Sequence, residues 1–561
     1  MGSEDRIERE DGAYAGDSGK RTATGRTRGK RGKRGKRSVC KSRAGTENSE
    51  KEGGTGKRGA RRMLGVDRLI ARRELREECG ACVVAAHRLA RYSFGMTDEE
   101  SRSEALTRRA FTARLASMVA VGCTIPSVAR AIVAARPDLA SLPRPTAAQL
   151  AWQRDELALF VHFGMNTFTD REWGDGTESP SLFNPVQLDA RQWARAAKAA
   201  GAKAMILTAK HHDGFCLWPT ATTAHSVASS PWKQGRGDIV REFVDACRAE
   251  GLKPGLYCSP WDRNHATYGD SPRYNNVYIA QLTELLTQYG TISEVWFDGA
   301  NGEGPNGKRQ VYDWPRTWAL VRRLQPGAVI FSDAGPDVRW IGNERGVAGE
   351  TNWSTIRPES VPFIGASGDS VITALQQGHA DGSVWRPGET DVSIRPGWFH
   401  HAAEDARVKS VDALVALYFT SVGRNSKLLL NVPPTRAGLM HAVDVDRLAG
   451  MRAALDRTFA NEVLSLFGSM SAERGALVRT YTETFRSPRS ISVIDLRERI
   501  EDGQRVNRWT LTTPGSTEGL AQGTTIGNRL LRRIPPTTVA SLVLQLESVD
   551  AQSDVRLRVY E

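Results

Sequence analysis

The 561 residues carry a net charge of +13, 40% hydrophobic residues and seven cysteines, enough chain for two or three domains with a sizeable core. The charge excludes less than it suggests. Residues 1–95 hold 25 Lys+Arg against 13 Asp+Glu, so the rest is near neutral and offers no basic stripe to a phosphate backbone.

In chain order, residues 1–95 come first, and Arg28 to Arg37 alternate Lys/Arg with Gly, too charged and too glycine-rich to build a core. Cys79-Gly80-Ala81-Cys82 has redox or zinc spacing but no second pair. Residues 96–131 then have the form of a twin-arginine export signal. Thr107-Arg108-Arg109-Ala110-Phe111 precedes a mostly apolar run from Leu115 to Ile125, and Ala129-Arg130-Ala131 supplies a small-x-small exit. That run is too short for a stable membrane span. An export signal does not work from inside a chain, so synthesis is expected to start near Met96, with residues 1–95 an over-extended gene boundary. The exported protein, periplasmic or extracellular, is then expected to begin near Ile132. Beyond the signal only Cys216, Cys247 and Cys258 remain, all within strand or helix patterns where buried free thiols are the default.

Residues 140–455 read as strand–helix units. Apolar runs end in polar residues at His162-Phe163-Gly164, at Lys210-His211-His212-Asp213-Gly214, at Ser259-Pro260-Trp261 and at Asp298-Gly299. Runs ending at Asp333 and at Asn431 have the same form. Between them, residues 190–200 and 238–248 repeat apolar positions three or four apart, with Gly after each. The class predicted is α/β: a parallel (β/α) barrel whose strand ends converge on one face as a catalytic cup. Burying Asp298 at the end of Val295-Trp296-Phe297 costs several kcal/mol unless chemistry there needs it.

A cup with carboxylates, several His, and Trp and Tyr suits a sugar hydrolase: aromatic faces cover the apolar side of a pyranose, His and Asn bond its hydroxyls, and two carboxylates act on the glycosidic bond. A metal site is not expected. Were His211 and His212 on a strand, neighbouring side chains would be expected to point to opposite sides, and the barrel has no His-x-x-x-His or Cys pair. No cofactor is expected either.

The segments His162-Phe163-Gly164, Lys210 to Trp218 and Trp296-Phe297-Asp298-Gly299, in that order, resemble the α-L-fucosidases of glycoside hydrolase family 29 over about residues 150–460. The resemblance implies exo-acting, retaining hydrolysis of terminal α-L-fucose through a covalent fucosyl-enzyme intermediate, with Asp298 as nucleophile. It implies that His162, His211 and His212 bond the fucose hydroxyls and that Tyr257 lines the same subsite. The segment 332–350, with the loops 172–176 and 301–308, resembles the branch acting on fucose α-1,3- or α-1,4-linked to N-acetylglucosamine. That branch carries its acid/base in the loop after the next strand, which points to Glu344, with Glu350 the alternative. Arg339 is a candidate to steady a carboxylate, and Trp173, Trp261 and Trp353 are candidate stacking faces. The expected partners are fucosylated oligosaccharides or glycoconjugates, with no nucleic acid; the oligomeric state is open. A non-catalytic glycan-binding barrel, or a hydrolase of another sugar, are the alternative readings.

Residues 456–561 change texture. Short runs of period two, at 476–481, 490–496, 509–512, 540–546 and 555–560, with turn residues between, predict an antiparallel β-sandwich that binds sugar or buttresses the barrel.

Overall fold

A computed structural model describes residues 142–468, 478–516, 518–549 and 554–561. The basic segment 1–95 and the export signal expected over 96–131 lie outside the described residues.

Helix α1 (Ala147–Asp155) opens with a capping box, Thr146 and Gln149 bonding each other's backbone N–H. Its Gln149 amide donates to the carbonyls of Asp337 and Trp385, closing the lower end of the barrel. The chain then runs through β1 (Leu157–Val161), α2 (Met165–Thr169), α3 (Ala190–Ala200), β2 (Ala204–Lys210), α4 (Ile239–Ala249), β3 (Lys253–Cys258), α5 (Ser271–Gln288), β4 (Glu294–Trp296), α6 (Trp314–Leu324) and β5 (Val329–Phe331). It continues with β6 (Arg339–Trp340), β7 (Thr355–Ile356), α7 (Asp369–Gln377), β8 (Val384–Trp385), β9 (Gly388–Ser393), α8 (Val411–Thr420), β10 (Ser426–Asn431) and α9 (Ala442–Thr458). Local chemistry sets the helix ends: Asp189 caps α3 through the N–H groups of Arg191 and Gln192, and Gly201, at φ +88°, takes the left-handed turn that stops it.

Eight strands form one parallel sheet in the order β5-β4-β3-β2-β1-β10-β9-β6, and a parallel bridge from Phe331 to Val338 brings its two edges together. The barrel predicted from the sequence is present, with two strands beyond the six legible runs. No helix separates β5 from β6. Inside the barrel, Phe160, Ile206, Tyr257, Trp296, Phe331 and Leu429 pack together, with Trp296 and Phe331 stacked at 4.1 Å. The alternate residues Leu159, Val161, Met205, Leu207, Leu428 and Leu430 pack outward on the helices, so β1, β2 and β10 carry apolar residues on both faces. Lys427 lies in the floor, 2.9 Å from Glu294 Oε2 and 3.6 Å from Glu389 Oε2.

The antiparallel domain follows as expected. Its strands β11 (Glu462–Gly468), β12 (Val478–Glu498), β13 (Val506–Thr512), β14 (Ala521–Gly523), β15 (Leu530–Ser548) and β16 (Val555–Tyr560) form one six-stranded sheet, ordered β11-β16-β12-β15-β13-β14. The long pair β12 and β15 shifts register between Thr484 and Arg489 and again between Ile491 and Val493. Trp509, Leu511, Leu544 and Leu546 are among its core residues. Arg529 ties it to the barrel, reaching Glu156, Tyr418 and Asp495. Among the described residues no helix is long and apolar enough to cross a membrane.

Candidate active site

Four strand ends deliver the centre of the cup. Asp298, just past β4, keeps a quarter of its side chain open to solvent. Its Oδ1 accepts the N–H of Ala300 at 2.7 Å, and its Oδ2 accepts the Tyr257 hydroxyl at 3.1 Å. Tyr257, on β3, is fully buried; burial first, and then the charge of Asp298, hold its hydroxyl protonated far above the ordinary phenol range. His212 Nε2 lies 3.8 Å from Asp298 Oδ2.

The hydrogen-bond network assigns the tautomers of the three histidines. Ser259 Oγ donates to the carbonyl of Trp261, so it accepts from His212 Nδ1–H at 2.8 Å and leaves His212 Nε2 with a lone pair. Asn431 Oδ1 accepts from the backbone N–H and the Nδ1–H of His162, which also leaves Nε2 as an acceptor. His211 Nδ1 accepts from the Asn166 amide, whose other bond goes to the carbonyl of Glu172, so His211 Nε2 is a donor. All three are buried, and desolvation pulls each below the ordinary imidazole range, His162 to about 3. The cup therefore presents two acceptors and one donor on neutral rings, a set suited to hydroxyls.

Glu344 stands at the rim. Its Oε2 accepts the indole N–H of Trp398 at 3.3 Å. The residue is exposed, but partial desolvation of the carboxyl lifts it above the ordinary range; the Trp398 N–H opposes this, and the charges of Asp298 and Glu172 add to it. Glu350, the sequence alternative, points elsewhere: its side chain is 66% exposed and pairs with Arg424 at 3.1 Å and Arg532 at 3.8 Å, beside the C-terminal sheet.

Of the predicted aromatic faces, Trp261 packs 4.9 Å from the His212 ring and Trp173 lies 6.0 Å from Trp261, half open at the mouth. Two other candidates need correcting. Arg339 does not face the cup. It is fully buried, and its guanidinium donates to the carbonyls of Leu375, Arg386 and Trp353 and to Asn352 Oδ1, so it braces β6. Trp353 accompanies it; 6% exposed, with its carbonyl taken by Arg339, it offers no open face for a sugar.

The structure adds residues that sequence reasoning missed. Trp398 and Phe399, on the loop after β9, set their rings 5.1 and 5.4 Å from His162. Asp391, at the end of β9, accepts the Trp340 indole N–H, and burial with the charge of Glu344 holds its carboxyl well above the ordinary range. Asp333 follows β5 and accepts the N–H of Gly365; burial and the Asp298 charge raise it to about 7. Asp333 and Asn431 each end an apolar run and were the missed residues with a readable signal. The others sit in polar segments without periodicity. Among the described residues no group of three His, Cys, Asp or Glu side chains could hold a metal ion.

The model of the family described as Alpha-L-fucosidase matches residues 141–458. Alpha-L-fucosidase 1 of Arabidopsis thaliana is 43% identical over 438 residues, 72% of this chain and 85% of that protein. Among solved structures, a putative alpha-L-fucosidase from Bacteroides ovatus is 46% identical with a TM-score of 0.66, covering 74% of each chain. A Ruminococcus gnavus family 29 fucosidase in complex with fucose is 30% identical with a TM-score of 0.68, covering 75% of this chain and 95% of that one.

Proposed function

This chain belongs to the α-L-fucosidase family, glycoside hydrolase family 29, and from that premise we propose a retaining mechanism in which Asp298 is the nucleophile and Glu344 the acid/base. The observation that carries the reading is the setting of Asp298: a solvent-reachable carboxylate at a strand end, held by the Tyr257 hydroxyl and the Ala300 N–H, beside three neutral histidines.

Fucose sits with its hydroxyls on His162 Nε2 and His212 Nε2 as acceptors and His211 Nε2–H as donor, its apolar face against Trp398 and Phe399. Asp298 attacks the anomeric carbon while Glu344, its pKa raised above the ordinary range, gives its proton to the departing oxygen. A covalent fucosyl ester on Asp298 results. Glu344, now ionised, takes a proton from water, which attacks the ester and releases fucose with the original anomeric configuration. The Tyr257 hydroxyl and the Ala300 N–H hold the carboxylate in line and receive its charge again as the ester breaks.

The natural bond is read as α-1,3 or α-1,4 to N-acetylglucosamine, a reading supported by the loops 172–176, 301–308 and 332–350. A non-catalytic glycan-binding role is not favoured, since neither carboxylate is missing from the cup. Export through the twin-arginine segment belongs to the same proposal: fractionation should find the protein outside the cytoplasm with its N terminus near Ile132, and an uncleaved cytoplasmic protein would overturn it.

The test is trapping with a 2-deoxy-2-fluoro-fucosyl donor, followed by mass spectrometry of the digest. A fluorofucosyl adduct on the peptide holding Asp298, absent from Asp298→Asn, is expected. An unmodified peptide from enzyme that still releases fucose would sink the covalent mechanism. A panel of fucosylated oligosaccharides then reads the linkage, and release confined to α-1,2 or α-1,6 bonds would reject the specificity.

A further inference from the structure

His401, on the loop after β9, has a carboxylate at each ring nitrogen: Nδ1 lies 2.8 Å from Asp170 Oδ1 and Nε2 lies 2.7 Å from Glu172 Oε1. Carboxylate oxygens only accept, so both contacts together require two N–H groups, which imidazolium has and neutral imidazole lacks. The ring is 15% exposed and sits as a cation between two anions from the loop after α2.

This ion pair has a downstream reach. The same Glu172 accepts the backbone N–H groups of Trp398 at 2.8 Å and Phe399 at 3.1 Å. Those two residues form the wall against His162 and His211, and Trp398 also bonds Glu344. Two loops more than 220 residues apart are thus joined by the imidazolium together with these backbone bonds to Glu172.

We infer that His401 is a positioning residue: its imidazolium fastens residues 170–176 to residues 397–401, and loss of its proton releases the Trp398–Phe399 wall, weakening fucose binding on the alkaline side. The inference rests on reading the cup as the fucose site.

Burial opposes the charge on His401, but the hydrogen bonds to Asp170 and Glu172 outweigh it and hold the ring above the ordinary imidazole range. A cation favoured by folding stays complete below about pH 6.5 and is lost as pH rises through the higher folded value. The other titratable groups facing this clamp are Arg436 and His400 beside Asp170, with burial lowering His400 to about 4, and Glu344 beyond Glu172. Glu404 accepts the Gly397 N–H and donates its own to the His401 carbonyl, and Asp405 is engaged by Arg395. Asp333 also titrates near neutrality, so the clamp is identified by variants rather than by a pH profile alone.

The experiment is calorimetric titration of the full chain with fucose from pH 5 to 9, in a Glu344→Gln, Asp333→Asn background that removes the titration of both carboxyls. Affinity should fall at least about fivefold with rising pH, and Asp170→Asn should move the midpoint down by about half a unit or more, since an opposite charge is lost. His401→Gln should abolish this pH dependence. A midpoint that Asp170→Asn leaves in place, or a dependence that survives His401→Gln, overturns the clamp; a merely structural role would weaken binding equally at every pH. If His401→Gln does not fold, the Asp170→Asn midpoint decides. Absence of fucose binding at every pH in the parent removes the reading of the cup, and the clamp with it.

Discussion

Replacing Glu344 or Glu350 by Gln separates the two acids that the sequence leaves open. Gln keeps the size of Glu344 and can still accept from Trp398 Nε1, so the cup should keep its shape while losing a proton donor. General acid catalysis contributes about 10²–10⁴ in rate, or about 2.7–5.5 kcal/mol of barrier. The loss depends on the leaving group. For a fucosylated oligosaccharide, whose leaving alcohol must be protonated, kcat/KM should fall by roughly that full factor. For an aryl fucoside with an acidic phenol, the phenolate departs unaided and kcat/KM should fall less than about tenfold. Glu350→Gln removes an exposed carboxylate from Arg424 and Arg532, an interaction of about 0–1 kcal/mol at most, and should leave both substrates within about twofold. The acid must be protonated, so wild-type kcat falls as pH rises through the raised pKa of Glu344, and Glu344→Gln should flatten that limb of kcat. Steady-state kinetics of the three proteins on both substrates decide it. Equal losses on both substrates, or a larger loss in Glu350→Gln, would refute the reasoning.

Three other expectations follow from the same physics. Tyr257→Phe deletes the donor to Asp298 Oδ2 in a fully buried position, so kcat should fall about 10–100-fold, the worth of a hydrogen bond to a charged group, and an unchanged kcat would discount that bond. Lys427→Met strips the ammonium from between Glu294 and Glu389, both buried; unfolding by guanidinium should show a loss of about 3–5 kcal/mol, larger at alkaline pH, and a loss under about 1 kcal/mol would show that the floor relaxes. His162, depressed to about 3, stays neutral in the folded chain while the unfolded chain takes up its proton, so melting temperature should fall as pH drops from about 6.5 toward 3; His162→Gln should blunt that slope, and an identical slope would assign it elsewhere.

What the sequence determines is local and periodic. The six apolar runs ending in polar residues are readable because a parallel strand covered on both faces is continuously hydrophobic, and Asp298 stands out as a charge at the end of one. The antiparallel domain is readable from its period of two, and Glu344 and the histidines from the motifs that hold them. Tertiary structure decides the rest. Strand β6 is two residues long, and β9, Gly388-Glu389-Thr390-Asp391-Val392-Ser393, is mostly polar yet wholly buried, because its side chains meet Lys427, Trp296 and Trp340 inside the barrel. Arg339 looks like an exposed loop arginine until barrel closure encloses it among carbonyls. Glu344 and Glu350 are six residues apart in one loop, and only the fold turns one toward Trp398 and the other toward Arg424. The pairing of His401 with Asp170 and Glu172 leaves no trace in either segment alone, because it exists only where the barrel brings the ends of β1 and β9 together.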